Sequence, residues 1–276
     1  MMGAKMNVRS GTAIALSLLA CAALWSTTAA AQKADARGPR LADGHPDFSG
    51  TWENGSGIEF VQPLQKGASV CIFGCGDAAP PPQATGSAPA PSQPKYKAEF
   101  AARVADLSKR QVSEDPVLRC MAPGVPRIGP PDKIVQRPGE AVFLYDDVSG
   151  NFFRIVPTDG RAHRKDAEPS FLGDAVAHWD GDTLVVETVK FNTETWLADD
   201  GAFHTKDLRV VERLRRTGAD ALEWAAPVYD PAVLSEPWQV SPRAMRATSV
   251  DLVEAPPCIE QSLSHMVDDS HHTNPR

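Results

Sequence analysis

The chain has 276 residues, with 28 basic against 35 acidic side chains and a net charge of −7. That balance repels phosphate backbones and acidic membrane surfaces, so nucleic-acid binding is not expected. The length suits one large all-β domain or two small ones, with room for a substantial core.

Residues 1–31 open with basic Lys5 and Arg9, continue through an apolar stretch from Thr12 to Trp25, and end on small Ala29 and Ala31 before Gln32. This is the order of a secretory signal peptide cut after Ala31, which directs the chain to the periplasm or the medium. The apolar stretch is too short and too Ala-rich for a membrane span. The alternative reads Leu18-Leu19-Ala20-Cys21 as a lipoprotein box with Cys21 lipidated, against which bulky Leu19 argues. Lys5 and Arg9 are the only charged side chains in this segment, so the remaining 245 residues carry −9.

Four cysteines remain, Cys71, Cys75, Cys120 and Cys258, an even number in a chain bound for an oxidising compartment. Two disulfides are expected. Of three connectivities, the favoured one pairs Cys71 with Cys75 inside one loop and ties Cys120 to Cys258 near the last strand. A zinc site at Cys71 and Cys75 lacks a second close pair and a nearby histidine.

Residues 32–46 form a polar lead, and 47–260 read as a single domain. Asp47 to Glu53 turns into a first strand, and residues 78–94 are a flexible loop rich in Pro, Ala and Ser, a composition that buries little apolar surface. Over 95–110, Tyr96, Phe100, Val104 and Leu107 recur at helical spacing, which predicts an amphipathic helix ended by Pro116 and the prolines beyond it. From Lys133 onward short apolar runs alternate with turn residues. Strands are predicted at Lys133–Gln136, Glu140–Asp146, Asn151–Pro157, Asp174–Trp179, Thr183–Phe191, Lys206–Arg215, Leu222–Tyr229, Trp238–Arg246 and Val250–Glu254. The tail, 261–276, reads as disordered.

The links between strands are short, with Asp180-Gly181 as a tight hairpin turn, so consecutive strands pair antiparallel in an up-and-down meander. Closure removes the two exposed edges of such a sheet, and the predicted fold is an all-β, calycin-like β-barrel with one N-terminal helix and a Pro-rich loop, while a half-open sandwich would give nearly the same alternation. In Lys206–Arg215, Leu208, Val210, Glu212 and Leu214 share the face that points inward, while Arg209, Val211, Arg213 and Arg215 share the other. In Thr183–Phe191 both faces are partly apolar, and the choice between Glu187 and Thr188 as the inward residue stays open.

Gly50-Thr51-Trp52 on an opening strand resembles the Gly-x-Trp signature of lipocalins and related calycin barrels, which implies a Trp that plugs a closed end. A longer likeness covers residues 46–260. The segments Pro46-Asp47-Phe48-Ser49-Gly50-Thr51-Trp52, Cys120-Met121-Ala122-Pro123-Gly124-Val125-Pro126, Thr158-Asp159-Gly160-Arg161 with His163, His178 to Val186, Phe191-Asn192 with Trp196, His204, and Val211-Glu212-Arg213 are similar to those of a large family of secreted bacterial proteins. That family brings no established activity, so function rests on the residues.

Glu212 stands among apolar neighbours on the inward face. A carboxyl there either has its pKa raised into the range of acid–base work or pairs with a cation such as Arg154 or Arg161. His204 enters a strand after the loop 197–203, where it serves as a proton shuttle at a barrel mouth or tethers the loop. Asn192 and Trp196, with Thr193 and Thr195, line a pocket or cap the barrel. Arg161 and His163 follow a strand end, where Arg161 would recognise a carboxylate or pair with Glu212. Tyr145, Phe153, Phe191 and Trp196 are candidate walls for an apolar ligand. No nucleophile elbow, P-loop, dinucleotide fingerprint or His-Glu-x-x-His motif is present, so no cofactor is expected. His271-His272 with Asp268 and Asp269 fall in the tail, and no metal site is assigned to them.

Two functions compete. One is a periplasmic barrel that binds a small apolar or aromatic ligand. The other is a cofactor-independent lyase, isomerase, hydratase or cyclase in which His204 and Glu212 exchange protons with a substrate. An interaction protein that uses a strand edge ranks below both.

Overall fold

The computed structural model describes residues 38–54, 92–147, 149–255 and 258, with the backbone of 64–66 and 69–71. The expected signal peptide, the Cys21 box, Cys75, most of the Pro-rich loop and the C-terminal tail lie outside the described residues.

Alternating apolar runs become strands, as period-two burial requires. They are β1 (Gly50–Glu53), β2 (Leu64–Lys66), β3 (Ser69–Cys71), β4 (Lys133–Arg137), β5 (Glu140–Asp147), β6 (Gly150–Pro157), β7 (Asp174–Asp180), β8 (Thr183–Val189), β9 (Arg209–Gly218), β10 (Ala221–Ala225), β11 (Pro227–Tyr229), β12 (Trp238–Gln239) and β13 (Arg243–Thr248). β2 and β3 form a separate two-stranded sheet. The rest build one antiparallel sheet that nearly closes into a barrel. β1 pairs with β4, and β4, β5 and β6 follow in order. β7, β8 and β9 follow likewise. β9 then pairs with β10 and β11, β10 pairs with β13, and β13 returns to β1. The seam lies between β6 and β7, where Gly160, just past β6, donates its N–H to the Ala177 carbonyl at 3.0 Å.

The core fills the interior. Ile134, Phe143, Tyr145, Leu184, Leu214, Leu222, Trp224 and Met245 are all essentially inaccessible. One end is closed by Phe48, Trp52 and Trp179. The Trp52 indole donates to the Phe48 carbonyl at 3.0 Å, and the Trp179 ring packs on Phe48 at 5.6 Å and stacks on His45 at 4.5 Å. The other end, where β8 finishes and β9 begins, carries a cap made of residues 191–208 and the helical segment before β4.

Several expectations are corrected. Helix 95–110 is shorter: a 3-10 turn at Ala98–Phe100 leads into α1 (Ala101–Lys109), and a second short helix, α2 (Gln111–Glu114), follows. Lys206 and Asp207 lie in a turn because Thr205 binds Asp230 through both its N–H and its hydroxyl. The runs Leu222–Tyr229 and Trp238–Arg246 each break in two. Val250–Glu254 is not a strand; it crosses the sheet by side-chain contacts, with Asp251 bound to Lys133 at 2.5 Å. The hairpin loop is Gly181-Asp182, one residue later than expected, with Gly181 at φ +58° supplying the left-handed turn. The Cys120–Cys258 disulfide is formed, and it joins the cap to the segment after β13.

Candidate functional site

The residues singled out by sequence separate into three places: the barrel interior, the cap and the outer face.

Inside, Glu212 on β9 meets Arg154 on β6, with Oε2 2.7 Å from Nη1, and both side chains are nearly fully buried. Trp224 Nε1 donates to Glu212 Oε1 at 3.2 Å. Arg154 also donates to the Tyr145 hydroxyl at 3.0 Å and to Thr188 Oγ1 at 2.7 Å. Burial works against the Arg154 charge, but Glu212 and Tyr145 more than offset it, and its pKa is raised. Burial also raises the Tyr145 pKa. The group spans the seam, because Arg154 on β6 reaches strands β8 and β9 on its far side. It stitches the barrel where ladder bonds are missing. A buried pair with these contacts is expensive to break and needs no ligand to explain it.

His204 lies in the cap, 2 % exposed. Its Nε2 is 2.6 Å from Thr195 Oγ1 and its Nδ1 is 2.8 Å from the Thr205 carbonyl, so the ring donates to the carbonyl and accepts from the hydroxyl. Burial lowers its pKa and keeps the neutral ring. Phe191 packs edge-on against it at 6.0 Å. Trp196 is buried beneath Arg127, which forks onto Asp115 at 2.7 and 2.8 Å and also holds Asp199. Asn192 uses its side-chain oxygen to accept from the Glu194 N–H at 3.3 Å. These residues tether and seal the loop. His204 and Glu212 share no partner among the described residues. The expected apolar wall is not assembled: Tyr145 is inside, Phe191 and Trp196 are in the cap, and Phe153 stands 63 % exposed on the outer face.

Among the concavities of the described surface, two bear on the site. A smaller one, at the barrel end near Arg40 and Arg216, is spanned by the Arg40–Asp182 ion pair. The larger, a groove of about 360 Å³, lies on the outer face of β7, β8 and β9. Strand register builds it. Val176, Glu187 and Val211 form one cross-strand row, and His178, Val185 and Arg213 form the next. Three valines thus make the floor, and Arg161, Arg209, Arg213 and His178 stand around it.

The polar rim is wired together. Glu187 accepts from Arg209 Nη1 at 2.8 Å and lies 3.3 Å from His163 Nε2. His163 Nδ1 is 2.9 Å from Asp174, which also accepts from Arg164 Nε at 2.8 Å. Burial pushes the Asp174 carboxyl up, but the bonds from Arg164 and His163 prevail and hold it below the usual carboxylate range. The Arg209 guanidinium lies 4.2 Å over the Tyr229 ring, a favourable cation–ring contact. Arg161 pairs with Asp159, and Arg213 with Asp180. Among the described residues no His, Asp, Glu and Cys group is placed to hold a metal, and no helix is long and apolar enough to cross a membrane.

Of the sequence-derived candidates the groove is lined by Arg161, with His163 next to it at Glu187, and it adds His178, Glu187, Arg209 and Arg213, which Asp174 and Tyr229 support from behind. The signal that could have found it is the outward set of β9, where Arg209, Val211 and Arg213 alternate as cation, apolar, cation. Comparison of the chain with protein-family models, with curated proteins and with solved structures finds no match, so the chemistry is read from these residues.

Proposed function

We propose that the protein is a secreted small-molecule-binding barrel whose site is the outer groove of β7, β8 and β9, not the barrel interior. One observation carries this reading: a floor of Val176, Val185 and Val211 ringed by guanidinium groups that side-chain pairs and ring stacking hold in place. An apolar surface with a few positioned polar groups is the usual composition of a small-ligand site. The filled interior, with Trp224, Tyr145 and Met245 inaccessible, supports placing the ligand outside. The Cys120–Cys258 disulfide fits an oxidising compartment.

The test is native mass spectrometry of the full chain secreted by its own leader, alongside Val211→Asp. A compound of a few hundred daltons retained by the wild type and lost from the folded variant supports the reading. A compound retained equally by both places the ligand elsewhere and overturns it.

A further inference from the structure

The rim of the groove also indicates what kind of molecule it takes. Arg209 uses Nη1 on Glu187, and its Nε and Nη2 make no hydrogen bond among the described residues. A guanidinium seated over Tyr229 with that edge unengaged presents two parallel donors, the fork that matches a carboxylate. Arg209 and Arg213 share one face of β9 four residues apart, about 13 Å along an extended strand. Val211 lies between them; Glu187 stands across from it on β8 with Val176 beyond on β7, and Val185 lies one row along, opposite Arg213. A ligand anchored by its anionic end at Arg209 thus runs its body over three valines toward Arg213.

We infer that the groove takes a small apolar carboxylate, forked on the Nε and Nη2 edge of Arg209 with its hydrocarbon part on Val176, Val185 and Val211. This rests on the small-molecule reading of the same groove. Glu187 then has two effects. It holds Nη1 and so aims the fork, and its own charge opposes the incoming carboxylate. Glutamine at this position keeps an acceptor for Nη1 and removes the opposing charge.

Isothermal titration calorimetry tests this on the full-length mature chain with two probe series, phenylacetate to 6-phenylhexanoate and butanoate to decanoate, each beside its primary amide. The carboxylates are expected to bind at least about tenfold more tightly than their amides, the worth of one charge-assisted fork. Arg209→Gln brings the carboxylates down to the amide level. Arg209→Lys, which keeps the charge and loses the fork, also weakens them. Glu187→Gln tightens the carboxylates several-fold and leaves the amides unchanged, a response that a purely structural glutamate does not give. Equal affinity for amides and carboxylates, with no response to Arg209→Gln, overturns the carboxylate assignment and leaves a small-molecule groove. Binding by neither series overturns both. Should Arg209→Gln fail to fold, the amide comparison on the wild type and the Glu187→Gln titration decide the matter.

Discussion

Strand β9 contributes to two Arg–Glu pairs of the same chemistry in opposite surroundings. On its inner face Glu212 meets Arg154 with side chains 0 % and 3 % exposed; on its outer face Arg209 meets Glu187 with both near 40 % exposed. The inner pair has given up its water, bonds Tyr145, Thr188 and Trp224, and spans the seam. The outer pair keeps solvent on one side and an unengaged guanidinium edge. The same two residue types therefore act as a structural stitch in one place and as a candidate recognition element a few ångströms away. What separates them is the parity of the strand.

The sharpest way to break this contrast is to remove one partner from each pair and compare stabilities by urea denaturation. Arg154→Met or Glu212→Leu alone leaves a buried charge uncompensated and is expected to destabilise by about 3–5 kcal/mol. The double variant should recover most of that loss, since well-packed apolar groups can replace a buried pair. Next in size is the cap. Gly124 sits at φ +87°, and a Cβ there would meet Thr195 Cβ at 2.6 Å. Gly124→Ala is therefore expected to lower stability by about 2–3 kcal/mol, read as a fall in Tm, by strain and by displacing the residue that binds His204.

His204 gives a pH-dependent comparison. Burial holds its folded-state pKa below the ordinary 6.5, so the unfolded chain binds its proton first as pH falls. Its contribution to stability is complete above about pH 6.5 and is lost as pH drops from there through the depressed folded-state value. Denaturation midpoints between pH 8 and 5 should show this loss, and His204→Gln should remove that part of the slope. Smallest is the outer pair: Arg209→Gln or Glu187→Gln should change stability by less than about 1 kcal/mol, as exposed ion pairs do. A large destabilisation there would make the outer pair a second stitch and erase the contrast.

The inner face of β9 was legible because Leu208, Val210 and Leu214 flank Glu212 in strict alternation, and the two readings of Glu212 included the pair with Arg154 that the structure contains. The neighbouring β8 was not legible. Leu184, Val185 and Val186 are all buried, the first and third in the barrel and Val185 on the outer face, so composition does not mark its inner side. His204 and Trp196 were identified as a cluster at a barrel end, but whether the cluster opened or sealed that end depended on Tyr96, Phe100 and Arg103 of the distant helical segment. Tyr96 donates to the Phe203 carbonyl, and Arg103 lies 3.9 Å over the Phe203 ring. Such contacts join residues a hundred positions apart, and no local pattern announces them.

By itself the sequence determined that the chain makes an antiparallel all-β meander, because alternation and turn residues are local signals, while cysteine parity pointed to disulfides without fixing their pairing, which the structure gives as Cys120–Cys258. Only the tertiary structure decided which way Glu187 points. The register that sets Val186 opposite Glu212 puts Thr188 inside, where it meets Arg154, and turns Glu187 outward to Arg209 and His163. Side chains of a strand alternate strictly, so one inward contact on a neighbouring strand settles the face of every residue in it.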